Sequence, residues 1–172
     1  MSMSAFALLL VVGAVDHNPF AKGRYYVQPS YTNQLGPSIN SCQGVTECTN
    51  LKIMANTSTA FWVDSKAKVP ALKAMLRTAA AQSPQQLVVI VVYDVPNRDC
   101  DSNNSVGDIC CYYNPDGTCD RRRPGDCASG LADYQHNFID PIAEALHEQE
   151  GQLSIVAIIE PDSLPKYARV CI

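Results

Sequence analysis

The sequence carries little charge and has no excess of positive charge. Only 17% of its 172 residues are charged, and 13 basic residues stand against 17 acidic ones, which leaves a net charge of −4. Such a chain presents no overall positive field to gather phosphate groups, so we do not expect nucleic acid as a partner. The hydrophobic share of 47% is typical of a chain that buries one core, which predicts a single domain.

Nucleotide-binding motifs and membrane spans are lacking as well. The Walker sequence GxxxxGK[ST] does not occur, and no glycine-rich fingerprint follows any of the strands predicted below. The apolar run from Ala5 to Val12 is far shorter than the roughly 20 residues that a membrane helix needs. It is typical of the hydrophobic region of a signal peptide, and Val12-Gly13-Ala14 suits signal peptidase. We therefore expect residues 1–14 to be a signal peptide. The protein is then secreted and extracellular, and no membrane partner is expected.

The cysteines point to the same compartment. There are eight of them, an even number at irregular spacing, which favours disulfides in an oxidising environment. Cys42 and Cys48 fit a local disulfide and fit partners elsewhere equally well. Four more lie in a cysteine-rich loop, residues 101–129, at Cys110, Cys111, Cys119 and Cys127. This loop has neither CxxC pairing nor a histidine, so disulfides are favoured over zinc and no metal is expected.

Hydrophobic periodicity predicts three strands that alternate with two helices. The strands are Ala60 to Val63, Leu87 to Tyr93 and Leu153 to Ile159, and the helices are Val69 to Gln82 and Leu131 to Glu148. The last two strands are continuous apolar runs rich in β-branched residues, a composition typical of strands buried on both faces. The alternation predicts an α/β fold with a parallel sheet, and both an open sheet and a barrel agree with it.

Carboxylates follow each predicted strand, where the ends of parallel strands share one edge. The residues at these three ends are Trp62 and Asp64, then Tyr93, Asp94, Arg98 and Asp99, then Glu160 and Asp162. Clustered carboxylates repel one another, so one of them can stay protonated near neutral pH, as the general acid of glycoside hydrolysis must. Trp62 offers an apolar face to a sugar ring, and Arg98 can orient Asp99 by a charge-assisted hydrogen bond. The alternative is that these side chains are helix caps or loop charges.

Two of the strand ends resemble the signature segments of a known family. Tyr93 to Cys100 (YDVPNRDC) and Ile159 to Leu164 (IEPDSL) are similar to segments of glycoside hydrolase family 6, the inverting cellulases that include cellobiohydrolases and endoglucanases. Asn18-Pro19-Phe20, a tyrosine-rich segment that we expect on the surface, and Trp62-Val63-Asp64 resemble the start of that family's catalytic domain. The resemblance implies a distorted parallel β/α barrel, of which residues 15–172 would be the first half, with the cysteine-rich loop as an insertion.

The resemblance also implies a role for each site residue. Asp162 would be the general acid, and Asp99 the neighbouring carboxylate that keeps Asp162 protonated and stabilises positive charge. Tyr93 would lie beneath the reacting sugar, and Trp62 would form a sugar platform on the glycone side. The remaining substrate-binding residues would be Asp64, Arg98 and Ser105, the last at the place of a serine associated with the nucleophilic water.

The expected activity is hydrolysis of β-1,4-glucosidic bonds in cellulose or cello-oligosaccharides with inversion, without a metal or organic cofactor. Cys100 and Cys171 resemble a family disulfide, and Asn97 stands where the family usually has aspartate, which removes one charge from this edge. Family members continue for roughly as long again, and the base is expected in that second half. The alternative is therefore a non-catalytic, carbohydrate-binding remnant of such an enzyme.

Overall fold

The computed structural model describes residues 18–82, 86–100, 106–120, 123 and 125–163. The predicted signal peptide, residues 1–14, lies outside these residues, and so do Ser105 and Cys171. Across the described ranges, no helix is long and apolar enough to cross a bilayer.

A short 3-10 helix, Pro19–Lys22, and two α-helices precede the first strand, and the sequence pattern predicts none of them. Helix α1 is Pro29–Ser41 and helix α2 is Val45–Ala55, and a disulfide between Cys42 and Cys48 closes the turn that joins them. Pro29 favours a helix start because its missing N–H would be unpaired there in any case. Helix α1 buries none of its residues, so it has no apolar stripe that periodicity could detect.

The tyrosine-rich segment before α1 is only partly on the surface. Tyr26 is 3% exposed and belongs to the core, and its backbone N–H donates to the carbonyl of Leu87 at 2.9 Å. The expectation of a surface segment is therefore wrong at Tyr26, because this residue packs into the core and bonds to the first residue of the central strand.

Three parallel strands form the sheet, as predicted. They are β1 (Phe61–Val63), β2 (Leu87–Val92) and β3 (Ser154–Ile159), in the spatial order β1-β2-β3. Val63 is paired with Val92, and Val92 with Ile159, so the carboxyl ends of all three strands are level at one edge. Strand β2 lies in the middle, and burial on both faces explains its continuous apolar sequence.

The connections between the strands are helical. Helix α3 is Val69–Ala80; the second connection contains α4 (Ala128–Tyr134), a π-helical turn (Gln135–Ile139) and α5 (Asp140–His147). The predicted single helix over Leu131 to Glu148 is thus divided, and Pro141, which has no N–H to donate, lies where the regular pattern resumes. Right-handed crossovers in strand order place both connections on one face of the sheet.

The core lies between that face and the helices. Alternate residues of β2 point to it, and Leu72 and Leu76 of α3 and Phe138 are fully buried against them. Burial of each such side chain contributes about 1.5–3 kcal/mol. On the surface, α3 and α5 are joined by the ion pairs Lys73–Glu144 (2.6 Å) and Arg77–Glu148 (3.0 Å).

Strand β3 forms where it is predicted but is not buried on both faces. Ile158 is 42% exposed and Ile159 is 57% exposed. Among the described strands, β3 pairs with β2 alone and forms an edge of the sheet. Its apolar sequence correctly predicts a strand, whereas the prediction of two buried faces is wrong for the described chain.

Candidate active site

An aromatic pair lies at the ends of β1 and β2. The rings of Trp62 and Tyr93 meet edge to face, with centroids 6.1 Å apart. Tyr93 is 8% exposed, whereas Trp62 is 48% exposed. The edge contact fixes the indole while a large part of it stays accessible, as a platform for a flat apolar ligand face requires.

Asp99 is buried beside this pair. It is 4% exposed, and the hydroxyl of Tyr93 donates to its Oδ2 at 3.3 Å. A tight turn holds it, in which the N–H of Cys100 donates to the carbonyl of Asn97 at 3.1 Å. Asn97 and Asp99 both have left-handed backbone, with φ of 59° and 50°. Left-handed geometry is uncommon outside glycine, and aspartate and asparagine tolerate it best, so the residue types fit this turn.

Arg98 joins the ends of β1 and β2. It is 8% exposed, and its Nη1 donates to the carbonyl oxygens of Tyr93 and of Asp64, the latter at 3.2 Å. Its guanidinium also lies 4.7 Å above the ring of Tyr93, in a cation–π contact. The carboxylate of Asp64 pairs with Lys68 at 2.7 Å at the surface. Orientation of Asp99 by Arg98 stays a prediction.

Asp94 is fully buried, a property that the sequence does not predict. Its Oδ1 accepts a hydrogen bond from the N–H of Asp108 at 3.2 Å, and among the described residues its Oδ2 has no hydrogen-bond partner. Burial, with the nearby Asp108 carboxylate, raises the pKa of Asp94 to about 9, although the guanidinium of Arg98 at 3.8 Å opposes this. Asp94 is therefore a neutral acid at pH 7.

Glu160 connects β3 to β2 and to α4. Its Oε1 accepts from the N–H of Asp94 at 2.9 Å and from the hydroxyl of Tyr134 at 2.8 Å, and its Oε2 accepts from Ser163 at 2.7 Å. Burial and the carboxylate of Glu160 raise the pKa of Tyr134. Asp162 is exposed in the turn that the N–H of Ser163 closes on the carbonyl of Glu160 at 3.2 Å.

The four cysteines of the loop form disulfides, as predicted, and the pairing, which the sequence leaves open, is Cys110–Cys119 and Cys111–Cys127. Cys100 is disulfide-bonded too, while its expected partner Cys171 lies outside the described residues. No group of His, Cys, Asp and Glu side chains in the described part of the chain is arranged to hold a metal ion.

Asp133 of α4 anchors this loop. Its Oδ2 accepts from Lys66 at 2.8 Å and from the hydroxyl of Tyr113 at 2.6 Å. Burial opposes ionisation of Asp133, but the hydrogen bonds from Lys66, Tyr113 and Asn137 outweigh it and lower its pKa. The ionised carboxylate of Asp133 therefore holds the loop close to the segment that follows β1.

Sequence reasoning places Asp94 and Glu160 at the strand ends but does not separate them from the proposed catalytic carboxylates. What distinguishes Asp94 and Glu160 from the proposed catalytic carboxylates is that they lie within two residues of the end of a strand. Side chains at these positions still point into neighbouring elements. Asp108, in the cysteine-rich loop, is missed altogether because its contact with Asp94 depends on the loop's tertiary path.

The parallel sheet with connecting helices belongs to the α/β class of proteins, whose functional side chains gather at the carboxyl ends of the strands. The chain belongs to the Glycosyl hydrolases family 6, whose family profile matches residues 20–171. The family resemblance of the two strand ends is thereby confirmed, and the described sheet and helices are the α/β part of that barrel-type fold.

The chain is similar to exoglucanase 3 of Agaricus bisporus, with 33% identity over 86% of this chain and 29% of the relative. It is 32% identical to exoglucanase A of Cellulomonas fimi, covering 86% of this chain and 17% of the relative. Among solved structures, the CcCel6A catalytic domain complexed with p-nitrophenyl β-D-cellotrioside matches with a TM-score of 0.68 and 28% identity over 89% of this chain and 39% of that domain. The chain thus spans less than a third of these curated relatives and about two fifths of that solved domain.

Proposed function

We propose that this chain carries the acid-bearing part of a β-1,4-glucanase, which hydrolyses cellulose or cello-oligosaccharides with inversion at the anomeric carbon. The observation that carries the proposal is the set of strand ends on one edge: Trp62 and Tyr93 in contact, Asp99 buried under Tyr93, and Asp162 exposed after β3. Membership of family 6 and the cello-oligosaccharide complex of a structural relative support the β-glucan substrate.

In this proposal Asp162 protonates the leaving glycosidic oxygen while water attacks the opposite face of the sugar. An exposed position suits Asp162, because the acid must reach an oxygen of a bound polymer. Asp99, which is buried and accepts a hydrogen bond from Tyr93, is assigned as the neighbouring carboxylate that favours the protonated form of Asp162 and stabilises the oxocarbenium-like transition state. Tyr93 lies beneath the reacting sugar.

Substrate binding is assigned to four further residues. Trp62 stacks a glucose ring on its accessible indole face, and Arg98 holds the backbone of Asp64 level with Tyr93. Asp64 offers a half-exposed carboxylate to sugar hydroxyls. Ser105, outside the described residues, is assigned to the nucleophilic water on the family resemblance alone.

Secretion is part of the proposal. Three disulfides close within the described residues, which supports an oxidising, extracellular environment. Their presence agrees with the signal peptide expected at residues 1–14.

A second candidate is a carbohydrate-binding protein without turnover. It is supported by the accessible indole of Trp62, which its contact with Tyr93 holds in place and which sugar binding alone would use. Such a protein would use Trp62 and Tyr93 to bind sugar and would release no reducing ends.

Two measurements on the purified chain distinguish these candidates. The first is reducing-sugar release from amorphous cellulose, with Asp162→Asn beside the wild type and Asp140→Asn, an exposed aspartate of α5, as control. Loss of the general acid costs about 10²–10⁴-fold in rate, so Asp162→Asn should lose release and Asp140→Asn should keep it. Release that survives in Asp162→Asn removes Asp162 from the acid role.

The second measurement is cellotetraose binding, followed through the emission of Trp62, the only tryptophan of the chain. Binding without release favours the carbohydrate-binding candidate. If the chain neither binds cellotetraose nor releases reducing sugar, both candidates are contradicted.

A further inference from the structure

A short part of the cysteine-rich loop, residues 107–111, runs beside the turn that holds Asp99, and we name it the strap. The N–H of Gly107 donates to the carbonyl of Arg98 at 3.1 Å, and the N–H of Asn97 donates to the carbonyl of Ile109 at 2.9 Å. A Cβ on Gly107 would collide with Oδ1 of Asp94, so only glycine allows this close approach. The strap and the turn are therefore joined by two backbone hydrogen bonds.

Asn97 adds a third bond to this pairing through its side chain. Its Oδ1 accepts from the N–H of Cys111 at 3.0 Å, in a buried position, and Asn97 itself is 9% exposed. Its backbone is left-handed, with φ of 59°, and its carbonyl accepts the N–H of Cys100 that closes the turn. One residue thus bonds to the strap by its N–H and its side chain, and to the Asp99 turn by its carbonyl.

Cys111, the residue of the strap that bonds to the Asn97 side chain, is fixed covalently. Cys111, whose N–H bonds to Asn97, forms a disulfide with Cys127, the residue before α4. Cys110 and Cys111 lie so close to Gly130 of α4 that a Cβ there would be 2.7 Å from Cα of Cys111. The place of the Cys111 N–H is therefore restrained by α4 and by the disulfide.

The turn that contains Asn97 and Asp99 contacts the aromatic pair of Trp62 and Tyr93. Asp99 lies two residues after Asn97 and accepts from Tyr93, whose ring contacts Trp62. Asn97 is thus connected, through Asp99 and Tyr93, to the indole of Trp62.

We infer that Asn97 is a positioning residue for Asp99, which ties the turn to the disulfide-fixed Cys111. The cysteine-rich loop is then a support of the site and not merely an insertion beside it. The sugar-binding arm of the test rests on the proposed function, whereas the hydrogen-exchange arm does not.

Three variants separate the parts of this role. Asn97→Asp keeps a side-chain acceptor and tolerance of left-handed backbone, Asn97→Gly keeps only the backbone freedom, and Asn97→Ala keeps neither. Hydrogen exchange of the Cys111 amide, measured in the full chain, should be slow in wild type and Asn97→Asp and at least about tenfold faster in Asn97→Gly and Asn97→Ala, because a buried donor loses its partner.

Cellotetraose binding, read from Trp62 emission well below the unfolding temperature, should follow the same order. We expect Asn97→Gly and Asn97→Ala to bind about tenfold more weakly, and Asn97→Asp to stay within about threefold of the wild type. If Asn97 only stabilised the fold, its replacement would lower the unfolding temperature, but Asn97→Asp and Asn97→Gly would not differ in sugar binding.

A disulfide variant tests the link itself. In the background of Cys111→Ser with Cys127→Ser, the strap is no longer fixed to α4, so Asn97→Gly should have little further effect on binding or on Trp62 emission. The matched background is Cys42→Ser with Cys48→Ser, which opens a disulfide between α1 and α2, and there the full effect of Asn97→Gly should persist.

The inference is overturned if Asn97→Gly binds like the wild type while the Cys111 amide exchanges faster, or if Asn97→Asp loses as much as Asn97→Gly. It is also overturned if the effect of Asn97→Gly is equal in the two disulfide backgrounds. A wild-type chain that fails to bind cellotetraose contradicts the proposed function, and the exchange rates and Trp62 emission then still decide the role of Asn97.

Discussion

The carboxylate of Glu160 accepts the backbone N–H of Asp94 at 2.9 Å, so a side chain at the end of β3 completes the hydrogen bonding at the end of β2. The same Oε1 accepts the hydroxyl of Tyr134, which brings α4 to the same point. The backbone that leads to Asp99 and helix α4 thus share one acceptor atom, and that atom belongs to the residue two before Asp162. Their relative position depends on a residue for which no catalytic step is proposed.

Replacing Glu160 with alanine should destabilise the chain, because the N–H of Asp94 and the hydroxyl of Tyr134 both lose their acceptor. We expect a loss of about 2–4 kcal/mol in the free energy of unfolding, measured by chemical denaturation. Glu160→Gln keeps an acceptor oxygen and should lose less. Tyr134→Phe removes one donor and leaves Asp94 bonded, so a loss as large as that of Glu160→Ala would contradict the shared-acceptor account.

Asp94→Asn should change how stability depends on pH. Folded Asp94 keeps its proton up to its pKa of about 9, whereas an unfolded aspartate loses it near the ordinary value of 3.8. The folded state therefore binds one more proton between these values, and its stability falls as the pH rises through that window, by up to about 1.4 kcal/mol per pH unit. An asparagine resembles the neutral acid, so unfolding free energies measured from pH 5 to pH 9 should fall less steeply in the variant.

The control for this pH series is Asp116→Asn. Hydrogen bonds from Thr118 lower the pKa of the exposed Asp116, so its contribution to stability is present above the ordinary pKa and is lost only as the pH falls through the lowered value. Its variant should leave the slope from pH 5 to pH 9 unchanged. Equal slopes in wild type and Asp94→Asn would show that Asp94 is ionised when folded.

Gly130→Ala should destabilise the junction of α4 and the cysteine-rich loop. The added methyl group would collide with the backbone of Cys110 and Cys111, which two disulfides prevent from moving away. We expect a loss of about 1–3 kcal/mol, visible as a lower unfolding temperature. Gly36→Ala is the matched helical control, because a Cβ there meets nothing within 4 Å; a lowered unfolding temperature in both variants would refute the steric explanation.

Arg98→Lys should weaken the edge of the sheet although the charge is kept. A lysine ammonium cannot bond to the carbonyl of Asp64 and stack on the ring of Tyr93 as the planar guanidinium does. We expect a loss of about 1–3 kcal/mol on urea unfolding, together with a changed Trp62 emission. Arg77→Lys, an exposed arginine paired with Glu148, should change neither, and no difference between the two variants would contradict the role of Arg98.

Sequence reasoning succeeds where one side of an element is buried and the other is not. Helix α3 shows this, because Leu72 and Leu76 recur at helical spacing against the core. It fails for α1, which buries nothing, and for the second face of β3, whose exposure depends on what lies beside the strand. An apolar run predicts a strand, but neighbours distant in the chain decide its burial.

The site divides in the same way. Trp62, Tyr93 and Asp99 are found from their place at or after the ends of predicted strands, and their contacts show that they lie together. Full burial of Asp94 and the bonds of Glu160 are not found, since both depend on the path of other segments. A sequence shows which carboxylates reach the edge, and only tertiary contacts show which are neutral, which are ionised and which serve as acceptors.

The order of the sheet has a consequence for how the chain is made. Because β1, β2 and β3 stand side by side in the order of synthesis, β2 and β3 each find their partner already present when they leave the ribosome. At about 5–20 residues per second, β1 and β2 with α3 have several seconds to pair before β3 emerges. The sheet can therefore grow in one direction during translation, with the exposed side of β3 as its newest edge.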